Sequence, residues 1–356
     1  MTLLDLGYTD TLEKFRIENN LQEFAVGRVV AEHRERYVVR TEQGDVDTEI
    51  TGAMRFSAKN REDFPAVGDW VALTMYDPDF SIINMIMPRF SMICRQAVGG
   101  FGEKQIIATN INYAFLVQAI DRDFNVNRLE RYLTICYSSK VTPIIVLTKI
   151  DLINEEQCAG IIAEIRQRID DVPVIALSSK TGEGYEAVEK VIEPGTTYCL
   201  LGSSGAGKST LLNKLSGKTV MRTDAISDST GKGRHITSHR ELIVLENGGI
   251  LIDNPGMREV GVADAATGLE TTFDNLLGYA GNCRFKDCTH THEAGCAVLA
   301  AVEEGTIDRG SYDSYLKMQK EQAWFESTLQ ERRKKDKSFG KMLKNYHKGI
   351  KKSGVV

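Results

Sequence analysis

"GSSGAGKST" spans residues 202 to 210, and "LTKID" stands well upstream of it, at 147 to 151. The later stretch, Gly202-Ser203-Ser204-Gly205-Ala206-Gly207-Lys208-Ser209-Thr210, fits the pattern G-x-x-x-x-G-K-[ST] in full. Strand-like "TYCLL" precedes it and helix-like "STLLNKL" follows, a context that separates the motif from a chance glycine-rich turn. A strand, such a turn and a helix in that order form a cradle whose backbone N–H groups point at α- and β-phosphates. Lys208 then reaches the β- and γ-phosphates, and the Ser209 hydroxyl holds Mg²⁺. The chain is therefore expected to bind a nucleoside triphosphate.

Two other loops complete that site. Asp253-Asn-Pro-Gly256 ends the apolar run "GGILI", which puts the carboxylate at a strand's C-terminal edge, where ligands bind in open α/β sheets. There Asp253 can serve Mg²⁺ through water, and the Gly256 N–H can face the γ-phosphate. Asp151 also follows a buried strand and can accept from the N1–H and 2-amino group of guanine, a donor pair that adenine lacks. Lys149 can lay its stem along the ring. Ser178-Ser179-Lys180, after "VPVIAL", would supply a backbone N–H to the guanine oxygen. Alone, "TKID" is a common accident; together with the other loops it is not. The five loops of a GTPase are thus present, but the base-reading pair (148–151 and 178–180) comes before the phosphate loop. This order is a circular permutation, which a packed sheet tolerates because domain termini commonly lie close together. It links the γ-phosphate-sensing segment directly to whatever follows Gly256.

Working outward, 105–280 alternates near-continuous apolar runs ("YAFLVQAI", "TPIIVLTKID") with amphipathic segments ("RLERYLTICYSS", "EEQCAGIIAEIRQRI"), the signature of a mostly parallel α/β sheet. From Gly27 to about Arg95 the pattern is short strands with turn signals ("VGRVVAEH", "RYVVRTEQGDVDTEI", "VGDWVALTMYD"). A small barrel of the OB type is expected there, with a β-rich cap lacking its own ligand as the alternative. "YTDTLEKFRIENN" carries Asp10 and Glu13 in capping-box spacing and reads as a short helix on an appendage. The expected fold is multidomain: an extension (1–22), a small β-barrel or OB-fold (23–100), a circularly permuted α/β P-loop GTPase domain (101–276), a small, mainly helical zinc-binding domain (277–335) and a basic tail (336–356).

"CRFKDCTHTHEAGC" gathers Cys283, Cys288 and Cys296 around His290 and His292. Three thiolates and one imidazole suit a closed, structural, tetrahedral Zn²⁺ site with no open position for substrate. The other four cysteines stand singly, so no disulfide framework is expected. Net charge is −5, yet Glu331 to Val356 hold ten Lys/Arg against two acids. Such a run is either solvated or a phosphate-contacting surface, and beside a barrel and a zinc module RNA contact is the better reading. At 356 residues with 42% hydrophobic content, no membrane-spanning run and no secretory leader, a cytoplasmic protein is expected.

The permuted loop order and the cysteine pattern make the chain resemble the ribosome small-subunit-dependent GTPase A family from about Gly27 to Lys320. The resemblance implies hydrolysis of GTP to GDP and phosphate, stimulated by the small ribosomal subunit. It further implies a role in late maturation of that subunit, with binding to 16S-type rRNA and dissociation on hydrolysis; we expect a monomer. The family's "GRHTTT" segment is matched by Gly233-Arg-His235-Ile-Thr237-Ser238. This implies Thr237 on Mg²⁺ and the γ-phosphate, with Ser238 as substitute, and His235 as the water-positioning residue; a surface histidine in a basic loop is the alternative. The family pattern also places the zinc ligand at His290. Catalysis would then rest on His235, Lys208 and Thr237. Two departures matter: Thr148 stands where GTPases usually carry Asn, reducing an amide contact to a hydroxyl, and Met257 stands where many keep a water-orienting Gln. The rival readings are an RNA-binding scaffold whose nucleotide only tunes affinity and an ATP-dependent enzyme.

Overall fold

Three strands of the first hundred residues (36–41, 44–50 and 80–86) alternate buried and more exposed side chains, whereas 25–33 and 70–75 are buried along most of their length. The computed structural model describes residues 1–33, 36–96, 104–121, 124–217, 241–253 and 266–326. After helix α1 (Asp10–Glu18) come β1 (Ala25–His33), β2 (Arg36–Thr41), β3 (Gly44–Ile50), helix α2 (Gly52–Ser57), β4 (Trp70–Met75) and β5 (Phe80–Ile86). Val29, Tyr37, Val39, Ile50, Val71, Leu73 and Ile83 form the core, with Met54 and Phe64 packed against it. The order β1-β2-β3-β5-β4 returns to β1 through Ala25↔Leu73 to Arg28↔Trp70, so five strands close on themselves. That is the expected small barrel. The β4 pairing stops at Arg28, and further along β1 Ala31 pairs with Glu241, which joins barrel and larger sheet.

A hairpin of β6 (Met92–Gln96) and β7 (Lys104–Thr109) leads into the α/β unit. Its elements are β8 (Tyr113–Ala119), α3 (Val126–Ser138), β9 (Thr142–Thr148), α4 (Glu155–Arg166), β10 (Val174–Ala176), α5 (Tyr185–Lys190), β11 (Thr197–Leu201), α6 (Lys208–Ser216), β12 (Glu241–Val244) and β13 (Ile250–Asp253). The strand order is β10-β9-β8-β11-β13-β12, parallel except for β12. Both faces are covered: Ala114 and Leu116 of β8 join one core with Leu129 and Ile145, while Phe115 and Val117 join another with Val146, Tyr198 and Leu211. Two-sided burial explains the unbroken apolar runs. Among the described residues four helices follow: α7 (Ala266–Thr272), α8 (Asp274–Ala280), α9 (Ala297–Glu303) and α10 (Arg309–Glu326). Phe273, Leu276, Val298, Tyr312 and Met318 give them their own core. No helix among the described residues is long and apolar enough to cross a membrane.

One buried cation ties the parts together. Arg28 of β1, 1% exposed, donates to Leu6 O (2.6 Å), Gly68 O (3.1 Å), Asn110 O (3.0 Å) and Thr197 Oγ1 (2.9 Å). These acceptors belong to the N-terminal segment, the barrel, the entry to β8 and the start of β11. Burial pulls the guanidinium down to about 9, while Asp69 raises it, so it stays protonated at neutral pH. Asp69 is itself held by Arg89 (2.6 and 2.8 Å), Thr109 (2.6 Å) and the Ala66 N–H (2.8 Å).

The first twenty residues are not an appendage: Leu6 and Leu12 are buried with Val26 and Trp70, and Tyr8 meets Trp70 edge-on at 4.9 Å. Nor is Asp10 the cap of α1. Thr9, in extended conformation, accepts from Leu12 N (3.5 Å), while Glu13 binds Tyr8 and Arg16 instead.

Replacing Arg28 with Met keeps side-chain bulk but strips a donor from four buried acceptors. A loss of about 3–5 kcal/mol in unfolding free energy is expected from urea denaturation; a loss below about 1 kcal/mol would contradict the hub role.

Candidate functional site

The nucleotide-facing loops all leave the sheet at the C-terminal edges of parallel strands, on either side of β8, where the chain direction across the sheet reverses. After β11 the loop turns inward at Gly202. A Cβ there would lie 2.2 Å from Val117 O, so only glycine lets the loop pass β8. Gly207, at φ +94°, caps α6 in a left-handed conformation. Ala206 is buried, whereas Ser203, Ser204, Ser209 and Thr210 are half-buried and Gly205 is exposed. Lys208 Nζ donates to Gly202 O (2.8 Å) and Ser203 O (2.6 Å), its ammonium folded over the loop's own carbonyls. Asp253 ends β13 beside this loop, because β13 runs parallel to β11 with Cys199 opposite Ile252.

The base-reading loops are cross-linked to one another and to the phosphate loop. Asp151, exposed in a turn after β9, accepts from Ser178 Oγ (2.6 Å) through one oxygen. Buried Ser178 Oγ in turn accepts from the Lys180 and Thr181 N–H groups (3.2 Å each). That leaves the Ser179 N–H as the loop's donor for a base oxygen, while its hydroxyl meets Tyr185 (2.7 Å). Thr148 does not offer its hydroxyl proton to a base: Oγ1 donates to Ala206 O (2.7 Å), so it ties the two loops. Lys149, at φ +64°, stretches to Asp121 (2.7 Å) at the end of β8.

Asp121 and Arg128 were missed in the sequence. Asp121 had a visible signal, an acid closing the apolar run "YAFLVQAI" in the manner of Asp151 and Asp253. Arg128, in the first turn of α3, reaches Ser203 Oγ (3.3 Å), a link between distant segments with no local signal. His235, Thr237, Ser238, Gly256 and Met257 lie outside the described residues, as do 336–356.

Cys283, Cys288, His290 and Cys296 present ligand atoms all within 4.8 Å of one another. A tetrahedral zinc with about 2.3 Å to sulfur and 2.0–2.1 Å to nitrogen sets edges of roughly 3.8 Å (S to S) and 3.6 Å (S to N). The observed separations are 3.9 Å between Cys283 and Cys296, and 3.6 and 3.5 Å from those sulfurs to His290 Nδ1. His290 sits at φ +57°, and Tyr312 donates to its carbonyl at 2.7 Å. Burial pushes the Cys288 thiol up to about 12, with Cys296 and Cys283 pushing the same way; a cation at the centre reverses that. His292 is exposed and turned to Thr291 (2.8 Å). The donor set fits a closed metal site.

Barrel, rotated loop order and metal module define the class, a circularly permuted P-loop GTPase. Comparison with known proteins places it further. The RsgA GTPase family model matches residues 86–263. "Small ribosomal subunit biogenesis GTPase RsgA" of Opitutus terrae is 40% identical over 340 residues, covering 91% of this chain and 90% of the relative. "Small ribosomal subunit biogenesis GTPase RsgA 1" of Bacteroides thetaiotaomicron is 38% identical, covering 96% of each. Among solved structures, YjeQ from Thermotoga maritima superposes with a TM-score of 0.61 at 23% identity, over 83% of this chain and 96% of that one. YloQ, titled a circularly permuted GTPase, gives 0.61 at 24%, over 86% and 98%. The chain belongs to the RsgA GTPase family and is a GTP hydrolase.

Ser178→Ala removes the donor to Asp151 and the acceptor for two N–H groups. About 1–2 kcal/mol is at stake, so KM for GTP should rise roughly five- to thirtyfold with kcat nearly unchanged in steady-state kinetics.

Proposed function

We propose that the chain hydrolyses GTP in late maturation of the small ribosomal subunit, binding its 16S-type rRNA in the GTP state and leaving after hydrolysis. The observation that carries this reading is the convergence of Asp151, the Ser178–Lys180 loop and the phosphate loop at one sheet edge, in a chain whose relatives are named for small-subunit biogenesis. Asp151 pairs with the N1–H and 2-amino group of guanine, its orientation held by Ser178, and Ser179 N–H donates to the guanine oxygen. Lys149, steadied by Asp121, covers the ring with its stem. N–H groups from Gly202 to Thr210 surround the phosphates, and Lys208 moves from its own loop's carbonyls to the β- and γ-phosphates.

Ser209, Asp253 and Thr237 are the proposed holders of Mg²⁺, which would neutralise charge on the β- and γ-phosphate oxygens. His235 is the proposed residue that orients the attacking water, with Met257 unable to do so. Gly256 would report the γ-phosphate through its N–H. Zn²⁺ is the proposed ion at Cys283, Cys288, His290 and Cys296, where it keeps α8 and α9 folded together. The proposed setting is the cytoplasm, and the proposed state a monomer.

The deciding experiment is GTP turnover by zinc-replete protein, alone and with small subunits, with ATP as competitor. We expect stimulation of at least tenfold by small subunits only, no competition from ATP, and loss of most of the stimulation in His235→Ala. Equal turnover with and without subunits would overturn the ribosomal reading, and ATP outcompeting GTP would overturn the base assignment.

A further inference from the structure

Thr148 ends β9, 2% exposed, and its hydroxyl donates to Ala206 O at 2.7 Å. A hydroxyl carries one proton, so that bond uses all that this side chain has to give. The other fixed donors of the base loops among the described residues are committed as well. Lys149 Nζ is on Asp121 (2.7 Å), Ser178 Oγ donates to Asp151 (2.6 Å), the Ser179 hydroxyl meets Tyr185 (2.7 Å), and the Lys180 and Thr181 N–H groups end on Ser178 Oγ (3.2 Å each). The Ser179 N–H remains, and the guanine oxygen takes it in the orientation proposed above. Guanine presents a second acceptor beside that oxygen, N7. An asparagine in place of Thr148 would bring two amide N–H donors, one for Ala206 O and one to spare. The threonine has none to spare.

What the hydroxyl holds is part of the phosphate loop. A trans peptide points its C=O and its N–H in opposite directions. With Ala206 O drawn toward Thr148, the N–H of the same peptide, that of Gly207, is turned away from β9 and into the cradle that receives the phosphates. Gly207 also rests on the same side chain: a Cβ there would meet Thr148 Oγ1 at 3.4 Å and its Cβ and Cγ2 at 3.6 Å, and these are its three nearest atoms. Glycine supplies no side chain to fix that peptide, so the hold comes from Thr148. We propose that Thr148 is a positioning residue for the phosphate loop, aiming the Gly207 N–H at the β-phosphate, and that the site in consequence leaves guanine N7 unread. This rests on the reading above in which Asp151 takes the N1–H and 2-amino group, and it adds what a threonine in place of asparagine does to base recognition.

The test is the Kd of full-length, zinc-replete protein for GDP, 7-deaza-GDP (C–H in place of N7), IDP (no 2-amino group) and ADP, in wild type and in Thr148→Val, Thr148→Ser and Thr148→Asn. Wild type should bind GDP and 7-deaza-GDP within about twofold of each other, and IDP about five- to thirtyfold more weakly. Thr148→Val keeps the shape but loses the proton, so GDP and 7-deaza-GDP should weaken together by about five- to thirtyfold, with wild-type affinity kept in Thr148→Ser. Thr148→Asn regains a donor for N7 and should favour GDP over 7-deaza-GDP by at least about fivefold, a preference that damage to the fold does not create. Wild type favouring GDP over 7-deaza-GDP by more than about fivefold, with the preference lost in Thr148→Val, would make Thr148 a base reader and overturn the proposal. Unchanged affinity in Thr148→Val, or Thr148→Ser binding as weakly as Thr148→Val, would overturn the positioning role. No preference in Thr148→Asn would show that position 148 does not face N7 and overturn the specificity claim. ADP or IDP bound as tightly as GDP would overturn the Asp151 assignment, whatever the outcome at Thr148.

Discussion

The guanidinium of Arg28 is the contact on which the arrangement of parts depends. Its four acceptors come from segments that no single secondary-structure element spans, and β11, one of them, runs straight into the phosphate loop. A buried cation stripped of partners costs several kcal/mol, so the barrel cannot shift against the nucleotide sheet without losing them together. The Ala31↔Glu241 pairing adds a backbone seam at the same boundary. Barrel and sheet are therefore held in one arrangement, with the nucleotide loops at one edge.

Permutation decides what the other side of the nucleotide site is attached to. In this order the chain leaves β13 through residues 254–265, which include the proposed γ-phosphate sensor Gly256, and continues into α7, which packs on α3. A Cβ at Gly268 would sit 2.1 Å from Ser138 Oγ and 2.2 Å from Thr134 O, so α7 lies directly on α3. Helix α3 carries Arg128 to the phosphate loop and Arg131 to α10. Changes at the γ-phosphate thus have both a covalent path and a packed path to the metal module, which suits the proposed coupling of nucleotide state to subunit affinity.

Legibility in the sequence followed how local each determinant was. The phosphate loop, Asp253 and the three metal-site cysteines sit in short motifs whose spacing follows from strand ends or coordination geometry; His290 rather than His292 followed from the family resemblance, and the structure brings that set together. The buried strands were legible as apolar runs because both faces of the sheet are covered. Arg28 was not: in "VGRVV" it reads as an outward polar residue of a half-exposed strand, whereas its partners lie up to 169 positions away. The same holds for Thr148, whose hydroxyl turned from an expected base contact to Ala206 O, and for the first helix, which seemed detachable until Leu6 and Leu12 were seen under Trp70. Thr9 displaced Asp10 as cap because the helix begins one residue earlier than the acid spacing implied.

On the proposed function, nucleotide state sets affinity for the small subunit. It is tested most directly by measuring the Kd of zinc-replete protein for small subunits with GDP and with a non-hydrolysable GTP analogue, at one fixed salt concentration. At least tenfold tighter binding with the analogue is expected, about 1.4 kcal/mol of coupling. Equal affinity in the two states would contradict it.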